Sequence, residues 1–227
     1  MSFKVLLLDG VDPICGDIFK ERGIQADQPG KLTQEELFSR IADYDGMVVR
    51  SATTVTPELL DKATNMKVIG RAGVGVDNID IPSSTAKGVL VMNTPDGNTI
   101  STAEHTCGML IALSRNIPTS VATVKGGGWD RKAYMGTEVH GKSLGIVGLG
   151  KIGSEVAKRM IAFGMEVQAF DPFSTEEHAQ SLGVKLVELD ELLGSSDYLT
   201  VHTPLTEKTK GMVSLKNADK LKKGIRL

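Results

Sequence analysis

Short apolar runs rich in β-branched residues alternate along this chain with stretches of helical period. "KVLLLD" reads as the first strand, and Asp12-Pro13 after it supplies an N-cap and first turn for a helix that stops at Gly23. "TQEELFSRI" carries Thr33 and Glu36 at capping-box spacing, ahead of a second strand, "GMVVR". Thr56-Pro57 opens the helix "PELLDKA", and "MKVIGR" and "GVLVMN" follow as a third and a fourth strand. Strand alternating with helix predicts parallel strands joined by crossovers, hence an α/β layered fold.

A long helical pattern over residues 99–116 comes next, with Ile100, Ala103, Cys107, Leu110, Ile111 and Leu113 able to form its apolar side. Pro118 restarts the chain, and "KGGGWDRKAYMG" reads as a loop from its glycines and charges. A second α/β series then runs "SLGIVG", "KIGSEVAKRMIAFG", "EVQAF", a helix to Gly183, and "DYLTVH". A boundary near Asn98 divides the chain into domains 1–97 and 98–227, and the absence of a Pro/Ser-rich linker gives the long helix the task of joining them.

In the second series the pattern carries chemistry. Gly148, Gly150 and Gly153 form G-x-G-x-x-G directly after an apolar strand and at the start of an amphipathic helix, and the following strand ends at Asp171. That context is specific for a dinucleotide. Gly148 permits the turn, Gly150 lets a pyrophosphate approach the backbone, Gly153 lets helix and sheet pack closely, and the helix N-terminus attracts the phosphates. Asp171 accepts from ribose hydroxyls and repels a 2′-phosphate, which favours NAD over NADP as cofactor. His202, Thr203 and Pro204 follow "DYLTV" at the carboxyl edge of the same sheet, on the cofactor side. Nothing in the sequence aims His202 at a nicotinamide, so it reads as structural.

In the first series two strands end in arginine: Arg50-Ser51 after "GMVV" and Arg71 before Ala72-Gly73-Val74-Gly75. Ligands of parallel sheets bind outside the carboxyl ends of the strands. Two guanidinium groups beside a glycine loop suit a small anionic substrate, through a carboxylate or a phosphate, and Asn98 in "NTPDGN" adds a donor.

Composition narrows the partners. The 26 basic and 28 acidic residues leave a net charge of −2, which gives no electrostatic footprint for nucleic acid or a membrane surface. The early apolar run Val5-Leu6-Leu7-Leu8 is too short for a signal peptide or a span, so a cytoplasmic protein is expected. Cys15 and Cys107 show no metal spacing, nor do His105, His140, His178 and His202, and no metal site is expected.

The strings "GRAGVGVDNID", "NTPDGN", "AEHTCGMLIALSRNIP", "GTEVHGKSLGIVGLGKIG", "AFDP" and "VHTPL" together resemble the D-isomer-specific 2-hydroxyacid dehydrogenases, over residues 4–226. The resemblance implies a flavodoxin-like substrate domain, a doubly wound Rossmann domain that binds NAD, and an active site in the cleft between them. It places the substrate carboxylate on the backbone around Gly73 and Val74, with Arg50, Ser51, Arg71 and Asn98 on the substrate side. Arg131 would reach a substrate phosphate, in its own or a neighbouring subunit. Lys151, Ile152, Asp171 and Thr203 would hold the cofactor, with Val74 near the nicotinamide. Position 74 is often threonine in the family, so a contact there runs through backbone or packing. The implied reaction is oxidation of a phosphorylated 2-hydroxy acid in a homodimer or homotetramer. Reduction of glyoxylate or hydroxypyruvate, and a non-catalytic NAD-binding corepressor-like module, stand as alternatives. The family's catalytic Arg, Glu and His fall after the strand expected at "KKGIRL". The chain ends there, at Leu227, so the resemblance implies a Rossmann domain incomplete at its C-terminus, with no catalytic residue in the chain.

Overall fold

The computed structural model describes residues 3–227, and the chain divides into two compact units, Met1–Asn98 and Thr99–Leu227. The first unit runs β1 (Lys4–Leu7), α1 (Ile14–Glu21), β2 (Gln25–Asp27), α2 (Gln34–Arg40), β3 (Gly46–Val49), α3 (Pro57–Lys62), β4 (Val68–Arg71), α4 (Ile81–Ala86) and β5 (Leu90–Asn93). Its strands form one parallel sheet in the order β2-β1-β3-β4-β5. That is a flavodoxin-type order, with its switch point between β1 and β3.

Local chemistry starts α2 and α3 where the pattern predicts, and starts α4 at Asp80, which the pattern does not mark. α1, expected to be capped by Asp12, has Pro13 at its N-cap and no side-chain cap. Thr33 and Glu36 form a reciprocal capping box on α2, and the Thr56 and Asp80 side chains accept from the Leu59 and Ser83 N–H groups at the starts of α3 and α4. The sheet has five strands where the hydrophobic pattern predicts four. β2 is three residues long at the sheet edge, and its sequence Gln-Ala-Asp has no apolar run to reveal it.

One face of this sheet packs Leu6, Leu8, Met47, Val49 and Ile69 against Leu37, Ile41, Leu59 and Leu60. On the other face Val5, Leu7 and Val48 meet Cys15 and Phe19 of α1. α1 covers only part of that second face. A hollow of about 520 Å³, lined by Val48, Val68, Gly70 and Met92 among others, lies beyond it, and Met92 is 55% exposed.

The second unit runs α5 (Thr99–Ser114), α6 (Ile117–Lys125), β6 (Ser143–Val147), α7 (Lys151–Ala162), β7 (Glu166–Phe170), α8 (Glu176–Leu182), β8 (Lys185–Leu186), α9 (Leu189–Ser195) and β9 (Tyr198–Val201). Its parallel sheet has the order β8-β7-β6-β9, so β6 is central and the winding reverses beside it. Leu144, Ile146 and Ala169 pack with Val156, Ala157 and Met160 of α7 and with Ala103, Cys107 and Leu110 of α5. α5 therefore belongs to the core of the second unit. Its Ile100 and Leu113, expected on the apolar side, are exposed instead, because Ala103, Cys107 and Leu110 already define the buried stripe.

Tyr198 is fully buried and shares a 2.9 Å hydrogen bond with the buried Ser114 at the end of α5, fixing helix to sheet through a satisfied polar pair. The segment expected as a strand at "KKGIRL" reaches the sheet as a single parallel bridge: the Leu199 N–H donates to the Arg226 carbonyl at 2.8 Å, and the Arg226 N–H to that of Asp197 at 3.0 Å. No helix of the described residues is long and apolar enough to cross a membrane.

Candidate functional site

In the second unit the glycine turn is built by three different constraints. Gly148 follows β6 with φ +95°, a conformation that favours glycine, and a Cβ there would lie 2.7 Å from the His202 carbonyl oxygen and 2.8 Å from Thr203 Cγ2. Gly153 sits inside α7, where a Cβ would collide with the Gly148 carbonyl oxygen. Gly150 is the N-cap of α7 and has open space where its Cβ would be. No side chain caps that twelve-residue helix at Gly150, so the positive end of its dipole faces whatever enters there.

Asp171 stands beside this turn. Its Oδ2 accepts from the Leu149 N–H at 2.7 Å, and its Oδ1 from the Phe173 N–H at 2.8 Å. The carboxylate is oriented by two backbone donors, and each oxygen retains a lone pair for a ribose hydroxyl. Lys151 is exposed at the first position of α7, and Ile152 packs partly against the core. A residue the sequence pattern missed closes the back of the turn. Ser154 is buried, lies 3.1 Å from the Leu149 carbonyl and 3.2 Å from His178 Nε2, and ties α8 to the phosphate-facing turn. Its one signal is a serine directly after the third glycine.

Thr203 and Pro204 lie at the carboxyl edge beyond β9, half-buried and exposed respectively. The His202 N–H donates to the Val147 carbonyl at 2.8 Å, and its ring Nε2 is 3.0 Å from Thr200 Oγ1. Burial pushes its pKa down, so the folded chain holds a neutral imidazole. A depressed folded-state pKa means that the unfolded chain binds the proton first. Stability is then expected to be lost as pH falls below 6.5, the ordinary histidine value, toward the folded one. Urea midpoints measured from pH 7.5 to 5 should fall for the wild type and fall less for His202→Asn. Parallel curves would show that His202 does not carry the dependence.

In the first unit the predicted substrate residues divide by role. Arg50 is exposed, and its guanidinium has no hydrogen-bond or ion-pair partner among the described residues. Ser51 follows it, also exposed. Arg71 turns inward: its side chain is 12% exposed, its Nη1 donates to the Gly75 carbonyl and lies 3.6 Å from Asp77, and its Nε is 3.5 Å from the Arg50 carbonyl. Much of the donor capacity expected at the anion is thus engaged by the loop itself. Gly73 and Val74 lie on that loop, with the Val74 carbonyl held by Asn93 Nδ2 at 2.6 Å and the Gly73 carbonyl by the Thr94 N–H at 3.0 Å. Asn98 is exposed at the end of the unit. Arg131 is exposed on the loop between α6 and β6, in the second unit.

Two residues outside the predicted set organise this edge. Asp9, just after β1, accepts at Oδ2 from the Arg50 N–H at 2.8 Å and the Thr53 N–H at 3.0 Å, and at Oδ1 from the Thr53 hydroxyl at 2.6 Å. Asn78 Nδ2 donates to the Arg50 and Thr53 carbonyls at 2.7 and 2.6 Å. The φ of Asp9 is +58°. A lone aspartate after a strand gives no sequence signal for such a role. A hollow of about 730 Å³, lined by Asp9, Lys31, Leu32, Ala52 and Thr53 among others, lies along the same edge.

Known proteins resemble this chain in sequence and in fold. The family profile described as D-isomer specific 2-hydroxyacid dehydrogenase, NAD binding domain, matches residues 107–227. D-3-phosphoglycerate dehydrogenase of Bacillus subtilis is 56% identical over 230 residues, and that of Rattus norvegicus 49% over 224; each comparison covers 99% of this chain and 42% of the relative. The chain thus spans less than half the length of these relatives. Among solved structures, D-lactate dehydrogenase of Aquifex aeolicus, complexed with NAD and lactic acid, matches with a TM-score of 0.85 at 26% identity, covering 96% of this chain and 66% of that one.

Proposed function

We propose, from the premise that this chain belongs to the D-isomer-specific 2-hydroxyacid dehydrogenase family, that it serves the NAD-dependent oxidation of D-3-phosphoglycerate to 3-phosphohydroxypyruvate, the first step of phosphorylated serine synthesis, in the cytoplasm. The observation that carries the reading is the Asp171 carboxylate, fixed on the Leu149 N–H beside a glycine turn whose open point is Gly150. Those residues fit a dinucleotide: the α7 N-terminus takes the pyrophosphate and Asp171 the ribose diol. Thr203, Pro204 and Lys151 line the same edge. When bound, NAD supplies the hydride acceptor for C2 of the substrate.

The first unit's part is to hold the anion. Arg50 presents a free guanidinium, and Ser51, Gly73, Val74 and Asn98 add donors or packing around it, with Arg71 shaping the loop. Arg131, exposed in the second unit, is assigned to a substrate phosphate on the family resemblance alone. His202, its pKa lowered by burial and its ring hydrogen-bonded to Thr200, is read as structural and not as the acceptor of the hydroxyl proton. The test is NADH formation by the protein as expressed from its gene, with D-3-phosphoglycerate, D-lactate and glycolate supplied in parallel. A higher kcat/KM on either unphosphorylated acid would remove the substrate assignment and leave the cofactor assignment standing.

The reading includes a homodimer or homotetramer paired through the second unit. Met109 and Leu113 on α5, Val121 and Val124 on α6, and Trp129 beyond them are all exposed, more apolar surface than a solvated helix pair needs. Replacing Val121 and Val124 by Asp is expected to shift sedimentation to the monomer. An unchanged sedimentation coefficient would put the contact elsewhere.

A further inference from the structure

The Arg50 peptide is held from both sides by side chains of other segments. Asp9 takes its N–H and Asn78 its carbonyl, and the same two side chains repeat the grip on Thr53. The residues between, Ser51 and Ala52, are exposed. The hollow lined by Asp9, Ala52 and Thr53 lies open on one side of the second half of the segment 50–53. The segment's position therefore depends on hydrogen bonds, and apart from the 3.5 Å contact of Arg71 Nε with the Arg50 carbonyl these converge on one carboxylate and one amide.

We propose that Asp9 is a positioning residue for the anionic-substrate segment, acting through the Arg50 peptide, with Asn78 as its counterpart on the opposite edge. The inference rests on the reading of Arg50 as the anion-binding guanidinium. Three features set Asp9 apart from an ordinary loop carboxylate. Its backbone is left-handed at φ +58° and is followed by Gly10 at +62°, a conformation that side chains other than Asn and Asp seldom adopt and that persists where surroundings over-determine it. It collects three donors from one short segment of another strand end. Burial pushes its carboxyl pKa up, yet the hydrogen bonds from Thr53 and Arg50 outweigh that and hold it below the ordinary value, so it is charged when the enzyme works. Its negative charge lies near a site read as anion-binding, and the donors it gathers offset the repulsion it would otherwise exert there. Asn78 is committed in the same way: both protons of its amide go to the segment, while its Oδ1 stays buried with no partner among the described residues.

The variants that isolate the role are Asp9→Gly, which keeps the left-handed backbone and removes the clamp, and Asp9→Asn, whose amide oxygen can accept from the two N–H groups while its Nδ2 donates to the Thr53 hydroxyl, the third contact reversed. Both are compared with Arg50→Ala and with Asp9→Gly/Arg50→Ala, in the protein as expressed from its gene, by KM for D-3-phosphoglycerate, kcat and melting temperature. Asp9→Gly is expected to raise KM about tenfold with kcat within about twofold, Asp9→Asn to restore it, and the effect to vanish in the Arg50→Ala background, since a residue acting through another is non-additive with it. A merely structural role would lower stability alike in both backgrounds without moving KM. If Arg50→Ala raises KM and Asp9→Gly does not, the inference falls and the anion site stands. If Arg50→Ala leaves KM unchanged, both fall. Should Asp9→Gly not fold, Asn78→Ala takes its place in the same cycle, with the same rise in KM expected and the same loss of that rise in the Arg50→Ala background.

Discussion

Asp171→Ala is expected to lower NAD affinity on the order of a hundredfold while leaving NADP affinity nearly where it was. The side chain does two things at once. It holds the Leu149 N–H inside the glycine turn, and in the proposed function it presents lone pairs to the adenosine ribose. The first holds for either cofactor; the second favours only the one without a 2′-phosphate, because a second anion there meets the carboxylate's charge. Two charge-assisted hydrogen bonds at roughly 1.5 kcal/mol each account for the hundredfold. Asp171→Asn separates the parts, since its amide oxygen still accepts from Leu149 while the charge is gone. It should lose less NAD affinity than the alanine variant and gain affinity for NADP. Calorimetric titration of both cofactors checks this, and equal losses for the two would show that the carboxylate serves the turn alone.

The second large effect divides two arginines that look equivalent in the sequence. Arg50→Ala should raise KM for the anionic substrate about a hundredfold, the scale of a lost charge-assisted contact, and leave the melting temperature nearly unchanged. Its guanidinium is exposed and touches no partner among the described residues, so the fold loses nothing with it. Arg71→Ala should behave in the opposite way. Its guanidinium holds the Gly75 carbonyl and lies against Asp77 and the Arg50 carbonyl. Removal orphans acceptors in the loop and should cost about 1–3 kcal/mol of stability, with KM rising as the loop slackens. Denaturation midpoints together with steady-state kinetics on both variants separate them. Identical profiles would mean that the two side chains share one role.

Where the chain's chemistry is local, the sequence announces it. The capping box at Thr33 and Glu36, the Thr56-Pro57 start and the G-x-G-x-x-G turn depend on residues a few positions apart, and the structure forms each of them. β2 leaves no mark in the hydrophobic pattern because an edge strand of three residues needs no apolar run. The buried stripe of α5 is the row Ala103, Cys107 and Leu110 that packs with α7, and Ile100 and Leu113 lie outside it. Asp9 and Asn78 are illegible for a different reason. Their partners are 41 to 44 and 25 to 28 residues away, and the contacts run mostly to backbone groups, which carry no residue identity to match.

The three glycines of the turn carry different histories in their sterics. At positions 148 and 153 a side chain would strike the chain's own backbone, and no ligand enters the reason. At position 150 the backbone, with φ −71°, admits any residue, and the space is open. A descendant of this protein that ceased to use a dinucleotide would stay under pressure to keep the outer two glycines merely to fold, and would be free to vary the middle one. Glycine at 148 and 153 therefore answers to architecture. The trace of cofactor use in a lineage is written at 150, read jointly with the acid at 171.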